Sequence, residues 1–205
     1  MVSGRTLAEQ TARRREAALA GHAGDIGAAT SLLSDPDPVV RATAMRALAR
    51  ANALSTEVLV AGSADRDAIV RMGTLELVAS RGEPELDHIV VAALHDPDRQ
   101  VVETAAWTAG ERERATDSVI ERLIELTTDH DDALVREAAV AALGAIGDER
   151  GLAAILRATH DRATVRRRAV LALAPFDGPE VQAALEAASS DRDWQVRQAA
   201  EDLLA

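Results

Sequence analysis

Apolar positions recur along this chain in two interleaved rhythms. The first is a set of stripes, each opened by Val: Val40-Arg41, Val70-Arg71, Val102-Glu103, Val135-Arg136, Val165-Arg166 and Val196-Arg197, at spacings of 30, 32, 33, 30 and 31 residues. Four positions after each Val stands a small residue (Ala44, Thr74, Ala106, Ala139, Ala169 and Ala200). Seven and eight positions after it come Ala47-Leu48, Leu77-Val78, Ala109-Gly110, Ala142-Leu143, Ala172-Leu173 and Leu203-Leu204. Offsets of 0, 4, 7 and 8 trace one face of an α-helix. The second rhythm is a shorter apolar segment between these helices, at residues 26–33, 58–64, 86–94, 119–126, 152–158 and 181–188. Ser55 and Thr56 are placed to cap one of them, Asp148 precedes another, and Pro84 and Pro179 suit a first helical turn. The runs "DPDP", "DRDA", "HDPDR" and "SDRDW" supply the turns between. Asp there caps the next helix and Pro presets the turn dihedral.

Each period of about thirty residues therefore reads as helix, turn, helix, and no such unit buries its stripe alone. The prediction is an all-α, right-handed solenoid of about six helical hairpins over residues 21–205. Residues 1–20 read as an N-terminal capping helix, with Thr6 at the cap and Glu9 three residues on. Fill comes from Ala, Leu and Val, since the chain has two Trp, one Phe and no Tyr.

The runs "DPDPVVRATAMRALA" and "ALVREAAVAALGAIGD" resemble HEAT repeats, and the short period is similar to the HEAT-like repeats first described in phycobilisome lyases. The resemblance implies that the recurring Asp and Arg form a ladder tying turns to neighbouring units. Asp35, Asp65 and Asp191 each stand six residues before Arg41, Arg71 and Arg197. A pair repeated in this way is structural rather than a unique active site. Glu103 stands where five other repeats carry Arg, and Asp96 is displaced by one from the usual six. The missing Arg is expected to loosen the junction between the second and third full repeats into a curvature hinge.

Composition narrows the chemistry. Zero Cys excludes disulfides, thiolate metal sites and a Cys nucleophile, and with no Lys among the 23 basic residues, Schiff-base chemistry is excluded too. No segment approaches the roughly twenty apolar residues of a membrane span, and the first twenty residues lack a signal-peptide core. Cytoplasmic residence and no membrane association are the expectation. The net charge of −11 is uneven. Residues 103–149 hold twelve acids against four Arg, and residues 150–173 hold six Arg against Asp161 alone. Such adjacent fields steer partners.

Three of the five His precede Asp (His95-Asp96, His130-Asp131 and His160-Asp161), but in successive turns too far apart for ligands about 2 Å from one metal. HEAT-repeat metal hydroxylases use His-Glu pairs just after the Val-Arg position. The matching positions here hold Ala42-Thr43, Met72-Gly73, Thr104-Ala105, Glu137-Ala138, Arg167-Arg168 and Gln198-Ala199. No catalytic residue, metal or cofactor is expected. The enzymatic alternative is a HEAT-like DNA glycosylase, a class that uses concave Trp residues and a catalytic acid, and Trp107 with Glu111 superficially fits it. Nucleic-acid affinity is dominated by phosphate neutralisation, however, and this pair lies inside the acidic block.

Protein binding remains, on the concave face that HEAT families generally use. Positions two, six and nine after each Val point away from the packed stripe. They nominate Met72, Glu76, Thr108, Glu111 and Glu137 as partner-binding residues on a surface too shallow for a small molecule. Trp107 joins them if its ring is not wholly buried between repeats, since five-after-Val is otherwise Met45, Leu75, Val140 or Val170. The expected partner is a basic, helical protein segment. The alternative is docking through the ends of the solenoid, where Trp194 would matter more.

Overall fold

The computed structural model describes residues 7–112 and 114–205, so the Thr6 capping box lies outside the described residues. These residues form thirteen α-helices, two short 3-10 segments and no strand. By compactness the chain divides into one unit ending at Arg81 and a second beginning at Gly82.

The first unit contains α1 (Leu7–Ala23), α2 (Ile26–Leu32), α3 (Pro38–Arg50), α4 (Thr56–Ser63) and α5 (Ala68–Ala79). Helices α1, α3 and α5 pack side by side, with α2 against α3 and α4 against α5. The second unit contains α6 (Asp87–Ala93), α7 (Arg99–Glu111), α8 (Asp117–Asp129), α9 (Ala133–Ile146), α10 (Leu152–Ala158), α11 (Ala163–Ala172), α12 (Pro179–Ala188) and α13 (Trp194–Leu204). Here α7, α9, α11 and α13 form one layer, and α6, α8 and α10 pack in a second layer behind it. Six hairpins, α2–α3 through α12–α13, thus follow α1.

Small residues set how closely the helices approach. A Cβ on Gly144 of α9 would meet the Ala172 Cα of α11 at 2.6 Å, and one on Gly110 of α7 would meet the Ala142 Cα of α9 at 3.3 Å. An alanine stripe facing glycine permits this spacing, whereas a larger side chain forces the helices apart.

The turns act as rulers for the repeat. Asp37, Asp67, Asp98, Asp132 and Asp193 each N-cap a long helix, accepting the backbone N–H two residues on. Arg162 stands at the sixth such position, with no side-chain cap. Three residues after these caps come Val40, Val70, Val101, Val135, Val165 and Val196, each 2% exposed or less. The third stripe therefore opens at Val101, not Val102, and the spacings are 30, 31, 34, 30 and 31. The frame read from the Val doublet was one residue late on α7.

This shift settles the ladder. Each Arg one position after the stripe Val donates Nη1 to the carbonyl of its own turn, at Asp35, Asp65, His130, Asp161 or Asp191. The remaining nitrogens of Arg41, Arg136 and Arg166 grip the carboxylates of Asp65, Asp161 and Asp191 in the next turn, each with two bonds of 2.6 to 2.8 Å. These carboxylates also accept a backbone N–H of their own turn (Asp67, Arg162 and Asp193). The forked geometry matches guanidinium to carboxylate and ties one repeat to the next. The Arg136 and Arg166 hydrogen bonds hold Asp161 and Asp191 below the usual carboxylate range. At Asp65 burial pushes upward, and the Arg41 bonds with the Asp67 N–H override it.

In the corrected frame the ladder position on α7 is Val102, 4% exposed, and Asp96 stands the usual six residues before it. The turn that an arginine at 102 would reach carries His130 in place of Asp, and its Nδ1 accepts the Asp132 N–H at 3.1 Å. Both partners of this rung are exchanged together. Replacing a buried ion pair by apolar packing is often neutral or stabilising, so a valine at this rung does not by itself loosen the α7–α9 junction. Arg99, one turn earlier, bonds Asp132 at 2.7 Å across the same pair of helices.

Candidate functional site

The same one-residue rotation redistributes the nominated binding residues. Thr108 falls on the packed stripe, seven after Val101, and is fully buried. It is not a partner-binding residue, because a residue step turns a helix by about 100° and carried it from surface to core. Trp107 moves the other way. It occupies the six-after-Val position of Arg46, Glu76, Ala141 and Leu171, and is 47% exposed, while Ala106 takes the buried slot of Met45, Leu75, Val140 and Val170.

In the first unit, Met72 is half-buried on α5 and Glu76 is exposed. Glu76 is also engaged, its Oε2 accepting from Arg46 Nη2 at 2.6 Å. Both side chains remain well exposed, so this pair contributes well under ~1 kcal/mol. It does, however, cancel the charge assigned to Glu76.

In the second unit, Trp107, Glu111 and Glu137 come together in an open cleft of about 420 Å³ between α7, α9 and α11. Helix geometry explains its walls. Glu103, Trp107 and Glu111 succeed one another at i, i+4 and i+8 along α7, a carboxylate–indole–carboxylate ridge. On α9 the matching row is Glu137, Ala141 and Ala145, a low trough beside that ridge. Leu134, 47% exposed, adds an apolar wall at the start of α9. Arg168 of α11 closes one side, 3.6 Å from Glu137.

Glu103 is the unsettled member. Its Oε1 is buried without a hydrogen-bond partner among the described residues. Burial raises its pKa above the ordinary value, against the pull of Arg99, and the neighbouring carboxylates of Asp132, Glu137 and Asp98 add to the rise. An ionised carboxylate with one oxygen sealed from water and without a donor is costly, and a cation at its cleft side offsets that cost.

Sequence reasoning named Trp107, Glu111 and Glu137 but missed Glu103 and Leu134 as cleft residues. The missed signal was the turn: aligning "DPDR" at 96–99 with "DPDP" at 35–38 places Glu103 and Trp107 at the surface positions directly. The His-Asp pairs sit in turns, His95 Nδ1 lying 2.9 Å from the Val91 carbonyl and His160 Nδ1 3.0 Å from Thr159 Oγ1. No cluster of three or more potential metal-binding side chains occurs among the described residues. Nor is any described helix long and apolar enough to cross a membrane.

The family pattern for HEAT repeats matches residues 26–108, 86–164 and 120–205. The chain belongs to the HEAT-repeat family, and its fold is the all-α solenoid of HEAT and armadillo proteins. Among solved structures, the E. coli protein YibA is similar at a TM-score of 0.67 and 18% identity, covering 91% of this chain and 72% of that one. A designed armadillo repeat protein in complex with the peptide (KR)4 gives a TM-score of 0.62 and 19% identity, over 86% of this chain and 96% of that one. Human deoxyhypusine hydroxylase gives 0.50 and 21%, over 94% and 77%. At these identities the likeness is one of fold, and the fold serves a peptide binder and an enzyme alike. Among curated proteins no sequence match was found.

Proposed function

We propose that the chain is a non-catalytic protein-binding scaffold whose face formed by α7, α9 and α11 receives a basic, helical segment of a partner protein. The observation that carries this reading is the cleft around Trp107. It combines a half-exposed indole and Leu134 with three carboxylates, against one arginine. Exposed aromatic side chains in a trough are the anchors that dominate protein interfaces. A surface so negatively charged attracts cationic segments and repels a phosphate backbone, which disfavours the DNA-glycosylase alternative. The armadillo relative holding a Lys-Arg peptide supports a peptide-sized ligand on this type of repeat. No cofactor, metal or membrane is part of the reading, and the cytoplasm is its proposed setting.

A synthetic helical peptide with basic residues one turn apart tests the proposal by fluorescence titration at low and physiological salt. We expect saturable binding that weakens with salt. The double variant Glu111→Arg/Glu137→Arg, checked for retained helicity, should lose at least about tenfold in affinity. One observation favours a second reading: Trp194 on α13 is 65% exposed. If Trp194→Ala abolishes binding while the charge reversals leave it intact, docking runs through that terminal helix instead.

A further inference from the structure

We infer that the Glu103–Trp107 end of the cleft is a pocket for one arginine side chain of the partner segment. This rests on the binding reading above and gives it a specific contact. Three observations converge on a guanidinium. First, Glu103 lines the cleft and its buried Oε1 has no donor, so its charge lacks internal compensation. A guanidinium, with five N–H donors in a planar fork, supplies that compensation from the cleft side. Second, Trp107 stands one turn further along the same helix face, half exposed, where a planar cation lies over an indole with favourable cation–π attraction. Third, Glu137 lines the same cleft from α9, so one fork can address carboxylates on two helices. The low Ala141 trough leaves room for the aliphatic stem, and Leu134 gives it an apolar wall.

Two cations bordering this corner are already committed. Arg99 bonds Asp132 at 2.7 Å, and Arg168 lies 3.6 Å from Glu137. The ladder position that carries arginine in the other five repeats is Val102, so no ladder guanidinium originates there either. The unmet acceptor at Glu103 thus coincides with the missing rung. A lysine ammonium would satisfy the charge but not the planar stack, and it carries fewer donors in less fixed directions.

The experiment uses the full chain carrying Trp194→Phe, which leaves Trp107 as the sole indole. The probe is a helical peptide with lysines one turn apart, in which arginine, citrulline or lysine is placed at one position at a time. Trp107 fluorescence reports binding. At one position, arginine should bind about tenfold tighter than citrulline and several-fold tighter than lysine, with smaller effects elsewhere. Glu103→Gln should erase most of that arginine preference, whereas Glu121→Gln on α8, outside the cleft, should leave it intact. Equal affinity for all peptides, or a Glu103→Gln effect no larger than that of Glu121→Gln, would overturn the arginine pocket while leaving the basic-segment reading standing. Absence of binding by every peptide at low salt would overturn both.

Discussion

Two junctions in the second unit hold neighbouring repeats together by different means. Between α11 and α13, Arg166 grips Asp191 through two bonds of 2.8 Å, in a site where the two side chains are 7% and 15% exposed. Between α7 and α9 the equivalent positions are Val102 and His130, and the charge pair moves out to Arg99 and Asp132, which are 52% and 30% exposed. One junction depends on a paired, largely desolvated charge. The other buries a methyl-bearing side chain and leaves its ion pair to solvent, where it contributes little. The difference also reaches the surface. Glu103 keeps an unmet acceptor beside the junction that has no ladder arginine.

Removing one partner should separate the two junctions most sharply. Arg166→Ala strands the Asp191 carboxylate and the Asp161 carbonyl, and should cost about 3 kcal/mol. Val102→Ala removes only buried methyl groups and should cost about 2 kcal/mol. Urea unfolding monitored by circular dichroism compares them, and equal or reversed costs would erase the distinction.

Rebuilding the missing rung is the next test. Val102→Arg alone buries a charge beside His130 and should destabilise, and His130→Asp should rescue it. A double-mutant cycle should give a coupling of about 1–3 kcal/mol in favour of the pair. No coupling would mean that position 102 is not a rung.

Acid should act unevenly on the two junctions. Asp161 and Asp191 have folded pKa values depressed chiefly by Arg136 and Arg166. Their stabilisation is present above the unfolded value, near ~3.9, and is lost as pH falls through the folded one. At α7–α9 the Leu134 N–H and Arg99 also hold Asp132 below the usual carboxylate range. Glu103, however, has a raised folded pKa, so lowering the pH relieves its cost and offsets part of that loss. Hydrogen exchange below pH 4 should show α11 and α13 opening before α7.

The smallest effect expected follows from that same raised pKa. Glu103→Gln should raise the unfolding midpoint at pH 7, where ionised Glu103 costs stability, and leave it unchanged at pH 3, where both forms are neutral. A variant that binds arginine peptides less well yet is more stable at pH 7 would mark Glu103 as a binding residue rather than a structural one.

The sequence by itself determined the helices, their caps and the hairpin count, because these are local. Period 3.6, an Asp cap before five of the six stripe helices and Pro at the first turn of α12 each act within a few residues. It also carried the ladder, whose Arg and Asp types recur. The rotation of α7 was decided by tertiary structure. Val101-Val102 and Ala105-Ala106 are doublets, so the apolar stripe fits either of two frames one residue apart. Only the Asp98 cap bond to Gln100 and the packing against α9 select between them. That choice buried Thr108, exposed Trp107 and moved the missing rung from Glu103 to Val102. The cleft is tertiary for the same reason: its two walls are 23 or more residues apart in sequence, and no local pattern reports which faces of α7 and α9 stand next to each other.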